Sequence, residues 1–289
     1  MPQPQPAVGL ICGEVRGGNE SVWTVVDLPG LSGVLYSSPC HGAQGGDVHY
    51  LSMCNSGIIA RVCLADVAGH GERVAGVARV MHAELRESVN AWDEREVMQK
   101  LDARLEASGQ KAITTAALVS YRPWKRRLTV SYAGHPPGWI YRPARAGSAD
   151  DHAAIGRWTR LTIDEPPPAG PCDLPLGTGF GPAYTRSQIV ARDGDRILLV
   201  TDGVLEAPAP DGTEFGDAGV ERVLASCVAN GSGCDGLGSA LLDALRAHTG
   251  HDPMEHDDVS FYIAEIIPTP AGPQAWQILK NRILPSIFG

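Results

Sequence analysis

No stretch of this sequence stays apolar for the ~18 residues that a membrane-spanning helix requires. Its first residues, MPQPQPAVGLICGE, lack the basic region and apolar core of a secretory leader. The chain therefore reads as cytoplasmic, with no membrane partner. Clustered positive charge is scarce too: the formal net charge is −9, and the longest basic run is the short RPWKRR at 122–127. That argues against nucleic acid as a partner. Cysteine spacing excludes further classes. Cys12, Cys40, Cys54, Cys63, Cys172, Cys227 and Cys234 are scattered, and no Cys-x2-Cys pair suggests a zinc knuckle or a redox couple. They read as small buried apolar residues in a reducing compartment. There is no internal repeat. Gly45-Gly46 lacks the longer glycine pattern and the Lys of a nucleotide phosphate loop.

What is present is ample core material: 43% of the 289 residues are hydrophobic, enough for one large mixed domain or two small ones. Val22 to Tyr36, with its Pro-Gly and Ser-Gly dipeptides, reads as an early hairpin, and Val48–Cys54 and Gly57–Leu64 as the next strands. From Glu72 the period changes. Val74, Val77, Ala78, Met81 and Leu85 recur at helical spacing, and a second helix over 93–106 carries Val97, Leu101 and Leu105 on one face. Asn90 and Gly109 punctuate this region. Strands return at 113–121, 128–132, 138–141 and 196–200, with surface loops at 143–151 and 165–171. Helices over 218–229 and 237–248 and a strand at 259–266 complete the body. Strands arrive in adjacent hairpins, so the sheets should be mainly antiparallel in an α+β domain over 8–267. The tail, 268–289, carries Trp276, Ile278, Leu279, Ile283 and Leu284 and reads as a short amphipathic helix or a docking segment.

Four carboxylates share a position at a strand end or glycine turn. They are Asp47 in GGD, Asp66 in LADVAGHG, Asp202 in LLVTDG and Asp257 in HDDVSFYI. Each alone has a structural reading as a turn residue or cap. Together, beside buried strands and without basic partners at fixed spacing, they suit hard divalent cations, which prefer oxygen ligands.

The motifs GGDVHY (45–50), ADVAGHGERVAG (65–76), SYAGHPPGWIY (131–141), LPLGTG (174–179), DGDRILLVTDGVLEA (193–207), Phe215-Gly216 and HDDVSFYIAEI (256–266) occur in order across the body. This set resembles the SpoIIE-type members of the metal-dependent protein phosphatase (PPM) family. The resemblance implies two stacked antiparallel sheets flanked by pairs of helices, an αββα sandwich. It also implies two Mn²⁺ or Mg²⁺ ions, with Asp66 bridging both and the Val67 carbonyl as a further ligand. Asp47 would help hold one ion, and Asp202 and Asp257 the other. Gly46, Gly203, His135 and Asp258 would be near neighbours of the ions, and His70 a candidate catalytic proton donor.

The implied reaction is direct hydrolysis of phosphoserine or phosphothreonine by a metal-bridged water, without a covalent intermediate. No Cys-x5-Arg loop offers a cysteine nucleophile instead. The implied substrate is a phosphorylated regulatory protein, such as a STAS-type anti-sigma factor antagonist in bacterial partner switching. Two departures stand out. Val48-His49-Tyr50 follows GGD where the family places two aromatics and a second Asp, and Ser260 stands where Thr is common. A catalytically weak module that grips a signalling partner is thus the competing reading, and a small-phosphoester hydrolase a third. The loose trio His248, His251 and His256 fits no compact metal site. At this length no separate N-terminal sensor domain is expected; oligomeric state is not legible.

Overall fold

The computed structural model describes residues 5–40, 42–69, 71–110, 112–144, 156–167, 169–250 and 255–269. Thirteen strands among them form two sheets. The first has the order β1 (Gln5–Gly9), β3 (Val22–Leu28), β4 (Leu31–Ser38), β13 (Val259–Ile266), β12 (Arg196–Val200), β9 (Trp139–Arg142), β10 (Arg157–Arg160). The second runs β11 (Ser187–Val190), β8 (Arg127–Ala133), β7 (Thr114–Arg122), β6 (Ala60–Val67), β5 (Gln44–Met53), β2 (Val15–Glu20). Pairing is antiparallel throughout except between β1 and β3. This is the expected αββα sandwich.

Period-two alternation explains why the central strands look continuously apolar: both of their faces are covered. In β6, Val62 and Leu64 enter the core between the sheets, while Cys63, Ala65 and Val67 face the layer of α1 (Glu72–Glu87) and α2 (Glu94–Ser108). In β13, Tyr262, Ala264 and Ile266 face inward. Its Val259, Phe261 and Ile263 meet Val220, Leu224, Leu241 and Leu245 of α4 (Gly216–Ala229) and α5 (Cys234–Thr249).

Several expectations need correction. Only Pro29-Gly30 turns the first hairpin; Ser32-Gly33 lies within β4, where a Cβ on Gly33 would stand 2.0 Å from the Ile263 carbonyl oxygen. β5 begins at Gln44, four residues before the expected start, so Asp47 is a strand residue and not part of a glycine turn. β1, β2, β10 and β11 have too little apolar alternation to be legible. The expected second helix is capped by Asp93, whose side chain accepts from the Arg95 N–H, and ends at Gly109 with φ 71°. The loop over 143–151 falls largely outside the described residues, as does the tail beyond Thr269.

A buried polar knot fixes the α1–α2 connection to the sheet. Arg61 on β6 donates from Nη1 to the Ser88 carbonyl (3.1 Å), from Nη2 to the Ala91 carbonyl (2.8 Å) and from Nε to Ser120 Oγ (3.0 Å). Arg122 on β7 pairs with the fully buried Glu94 at 2.8 Å. The helices that carry the chain away from Asp66 are thus anchored by ionic as well as apolar contacts.

Candidate metal centre

The register of β5 and β6 sets Asp47 directly opposite Asp66. Asp66 lies two residues beyond Leu64 and four beyond Val62, and so shares their face, the one toward the opposite sheet. Directly paired side chains share a face. Asp47, on the same side as Leu51, therefore points into the inter-sheet gap as well. Two like charges opposed across a ladder repel each other.

The other sheet closes this end of the gap. β12 and β13 are antiparallel, so the exit of one lies beside the entrance of the other, and the Thr201 N–H donates to the Ser260 carbonyl at 3.0 Å. Asp202 opens a single helical turn, α3 (Asp202–Leu205), and Asp257-Asp258 immediately precede β13. Asp202 and Asp257 act electrostatically on Asp66. The four expected carboxylates thus converge from two sheets.

Asp258 has a different role. It is buried, and its Oδ1 accepts the Cys40 N–H at 2.7 Å. Its Oδ2 accepts the N–H of Gly46 and, at 3.2 Å, of Asp47. The carboxylate therefore ties the end of β4 and the start of β5 to β13. The paired glycines follow from this. A Cβ on Gly45 would stand 2.3 Å from Asp258 Oδ2, and one on Gly46 would stand 3.0 Å from the Val67 carbonyl oxygen and 3.3 Å from Asp66 Oδ1. The Val67 carbonyl consequently lies on the same side as Asp66. Gly203 lets α3 press onto the Asp257-Asp258 backbone, since a Cβ there would be 1.9 Å from the Asp258 carbonyl oxygen. His256 pins the same turn, its Nε2 lying 2.8 Å from the Gly203 carbonyl oxygen.

Burial and mutual repulsion push protons onto these groups. Asp66 is raised to about 7, by burial first and then by Asp202, Asp257, Asp258 and Glu206. Asp47 is raised well above the usual carboxylate range, mainly by burial and then by Asp66. Asp202 is raised by burial and by Asp257. Among the described residues no Lys, Arg or His forms an ion pair with any of them. An acid-rich, cation-free gap with a carbonyl at its edge is a donor set for hard divalent ions.

Not every expected residue joins the set. His135, at the end of β8, is buried, places its Nδ1 3.0 Å from the Pro136 carbonyl oxygen, and is driven down to about 4 by burial. None of its hydrogen bonds among the described residues reaches a carboxylate. His70 lies outside the described residues, as does His251; His248 binds the Thr213 carbonyl instead (3.0 Å).

Sequence reasoning missed other members. Thr201 Oγ1 donates to Asp47 Oδ2 at 2.8 Å, and Ser260 Oγ donates to Ser37 Oγ at 2.8 Å beside it. Glu206, one helical turn after Asp202, is raised by burial and by Asp202; the i, i+4 spacing was the available signal. Cys40 departs from the expected buried apolar role. It is half-buried, and its Sγ and one oxygen each from Asp257 and Asp258 lie within 4.8 Å of one another. None of the seven cysteines forms a disulfide.

The family model for stage II sporulation protein E (SpoIIE) matches residues 60–267. Among solved structures, the RsbU and RsbW domains of a Mycobacterium tuberculosis protein align with a TM-score of 0.63 at 22% identity, over 90% of this chain and 64% of that one. The chain thus spans less than two thirds of that structure. RsbX in complex with magnesium aligns with a TM-score of 0.57 at 14% identity, over 85% and 100% of the two chains. The catalytic domain of the serine threonine protein phosphatase PstP, in complex with 2 manganese ions, gives 0.51 at 20% identity, over 82% and 98%. At such identities the likeness establishes a shared fold, while the family match covers more than half of the sequence. The chain therefore belongs to the SpoIIE family, and it has the fold of these phosphatase structures.

Proposed function

We propose that this chain hydrolyses phosphoserine or phosphothreonine on a protein, using two divalent cations, Mn²⁺ or Mg²⁺, held between the sheets by the domain spanning 8–267. The observation that carries this reading is the in-register pair Asp47, buried, and Asp66, half-buried, opposed with no cationic partner among the described residues. Asp66 faces Asp47 on one side and feels Asp202 and Asp257 on the other, which suits it to bridge both ions. Asp47 would serve one ion, Asp202 and Asp257 would serve the other, and the Val67 carbonyl would add a neutral oxygen. The magnesium and manganese in the RsbX and PstP structures support these metals.

Bound ions would supply charge for the phosphoryl oxygens and lower the pKa of the attacking water. The protein's own contribution is rigidity. Asp258 and Thr201 hold Asp47 by backbone and side chain, and Gly45, Gly46 and Gly203 let the backbones close around the carboxylates. The missing second acid after GGD does not count against activity. Tyr50 occupies that position, faces α1 and donates to the Ala78 carbonyl at 2.6 Å, so a carboxylate there would point away from the gap. This weighs against the weak-module reading. The substrate we propose is a phosphorylated STAS-type regulator, a proposal supported by the likeness to an RsbU–RsbW pair.

The test is Mn²⁺- and Mg²⁺-dependent hydrolysis of p-nitrophenyl phosphate and of a phosphoserine protein, wild type against Asp66→Asn. Wild-type inactivity on both with either metal overturns the enzyme reading; activity retained in Asp66→Asn overturns the site.

A further inference from the structure

A groove of about 1000 Å³ runs between α1 and β2, the edge strand of the six-stranded sheet. Its floor is shaped by Gly17, Gly18, Ala75 and Ala78. Gly17, at φ 134°, cannot carry a side chain, since a Cβ would stand 1.9 Å from the His49 carbonyl oxygen. One end of the groove adjoins the metal centre through the chain itself. Gln44 in its wall immediately precedes Gly45-Gly46, and Asn19 in its wall donates from Nδ2 to the Gly45 carbonyl at 3.0 Å. Arg73 at the same end stands over Gly69, two residues beyond Val67. The groove lies on the α1 face of the sheet and the carboxylates on the other, and the Gln44–Gly46 edge of β5 is where a bound polypeptide can pass from one to the other.

The charge in the groove opposes that of the molecule. The protein as a whole carries −9. Yet the groove presents exposed Arg73 and Arg79 and half-buried His82 against a single acid, Glu72. Neither arginine pairs with a carboxylate among the described residues; Arg79 donates only to the Ala75 carbonyl of its own helix (3.2 Å). His82 rests against the Tyr50 ring with its Nε2 3.4 Å from the Val15 carbonyl oxygen.

We propose that this groove docks an acidic stretch flanking the phosphorylated residue of the substrate, with Arg73 and Arg79 selecting it. The proposal rests on the phosphoprotein phosphatase reading above. Acidic residues in the groove gain complementary charge, which governs specificity and encounter more than turnover. Small phosphoesters do not reach it.

The experiment compares wild type with Arg79→Glu and with Arg73→Glu/Arg79→Glu on three substrates: p-nitrophenyl phosphate, a phosphoserine peptide flanked by Asp and Glu, and one flanked by Ala and Ser. Wild type should prefer the acidic peptide through a lower KM. The double variant should raise that KM about tenfold with kcat little changed, and leave the neutral peptide alone. A wild type without preference, or equal losses on both peptides, overturns the proposal. Binding of the unphosphorylated acidic peptide, followed by fluorescence anisotropy at low salt, separates this from failure of the enzyme reading. Wild type should bind it and the double variant should not, whether or not turnover is seen; absence of binding to wild type also overturns the proposal.

Discussion

Thr201 donates its hydroxyl to Asp47 Oδ2 at 2.8 Å, joining the end of a strand in one sheet to a carboxylate in the other. The same hydroxyl accepts the Ser260 N–H at 3.1 Å, which anchors its oxygen to β13. A carboxylate oriented from behind presents its remaining lone pairs in a fixed direction, and loss of such support typically lowers metal affinity about 10–100-fold. Thr201→Val should therefore raise the Mn²⁺ concentration for half-maximal activity by about tenfold or more, while Thr201→Ser should stay near wild type. Metal titrations of p-nitrophenyl phosphate hydrolysis decide it; equal metal requirements would show that the contact does not orient Asp47.

Asp66→Asn should abolish hydrolysis yet raise the melting temperature of the metal-free protein. It removes one of several mutually repelling carboxylates while keeping the shape. Added Mn²⁺ should shift the melting temperature of wild type far more than that of the variant. Thermal melts with chelator and with Mn²⁺ would read both effects; a destabilised metal-free variant would count against repulsion at this site.

The metal-free protein should lose stability as pH rises. Asp66 ionises at about 7 when folded, against about 3.9 for an unfolded Asp. Asp47 and Asp202 are displaced in the same direction. Between those two values the native state binds more protons than the unfolded one, so stability falls with pH from about 4 upward, and the share of the loss due to Asp66 is complete above about 7. Urea midpoints in chelator should be higher at pH ~5.5 than at pH ~8, and saturating Mn²⁺ should shrink or reverse the difference. A flat profile without metal would show that the carboxylates are not held close in solution.

Glu94→Ala should cost about 3–5 kcal/mol, because it leaves the buried Arg122 guanidinium without its 2.8 Å carboxylate partner. The α1–α2 connection hangs on this knot. Hydrogen exchange in α1 and α2 should accelerate more than in α4 and α5, which pack on the opposite sheet.

Much of the architecture was legible because strong local signals coincided with real elements. The apolar spacing from Val74 to Leu85 is α1, and RILLV is β12. Elements with weak patterns escaped. VRGGNE of β2 has no apolar alternation, and it is a strand only because β5 offers it a partner edge. Asp47 looked like a turn residue because two glycines precede it. Those glycines instead make room for Asp258, Asp66 and the Val67 carbonyl within an extended strand.

The sequence by itself determined the family and the order of the strongly patterned elements, and it singled out four carboxylates beside buried strands, since motif order and apolar spacing are one-dimensional properties. Only the tertiary structure decided how the neighbours divide the work. Asp257 and Asp258 are adjacent in the chain, yet Asp258 commits its oxygens to the N–H groups of Cys40, Gly46 and Asp47. Tyr50, a conspicuous departure in the motif, turned out to face α1. The reason is physical. A hydrogen bond between residues 154 positions apart, like that of Thr201 and Asp47, depends on strand register and sheet stacking, and no local pattern of residues encodes either.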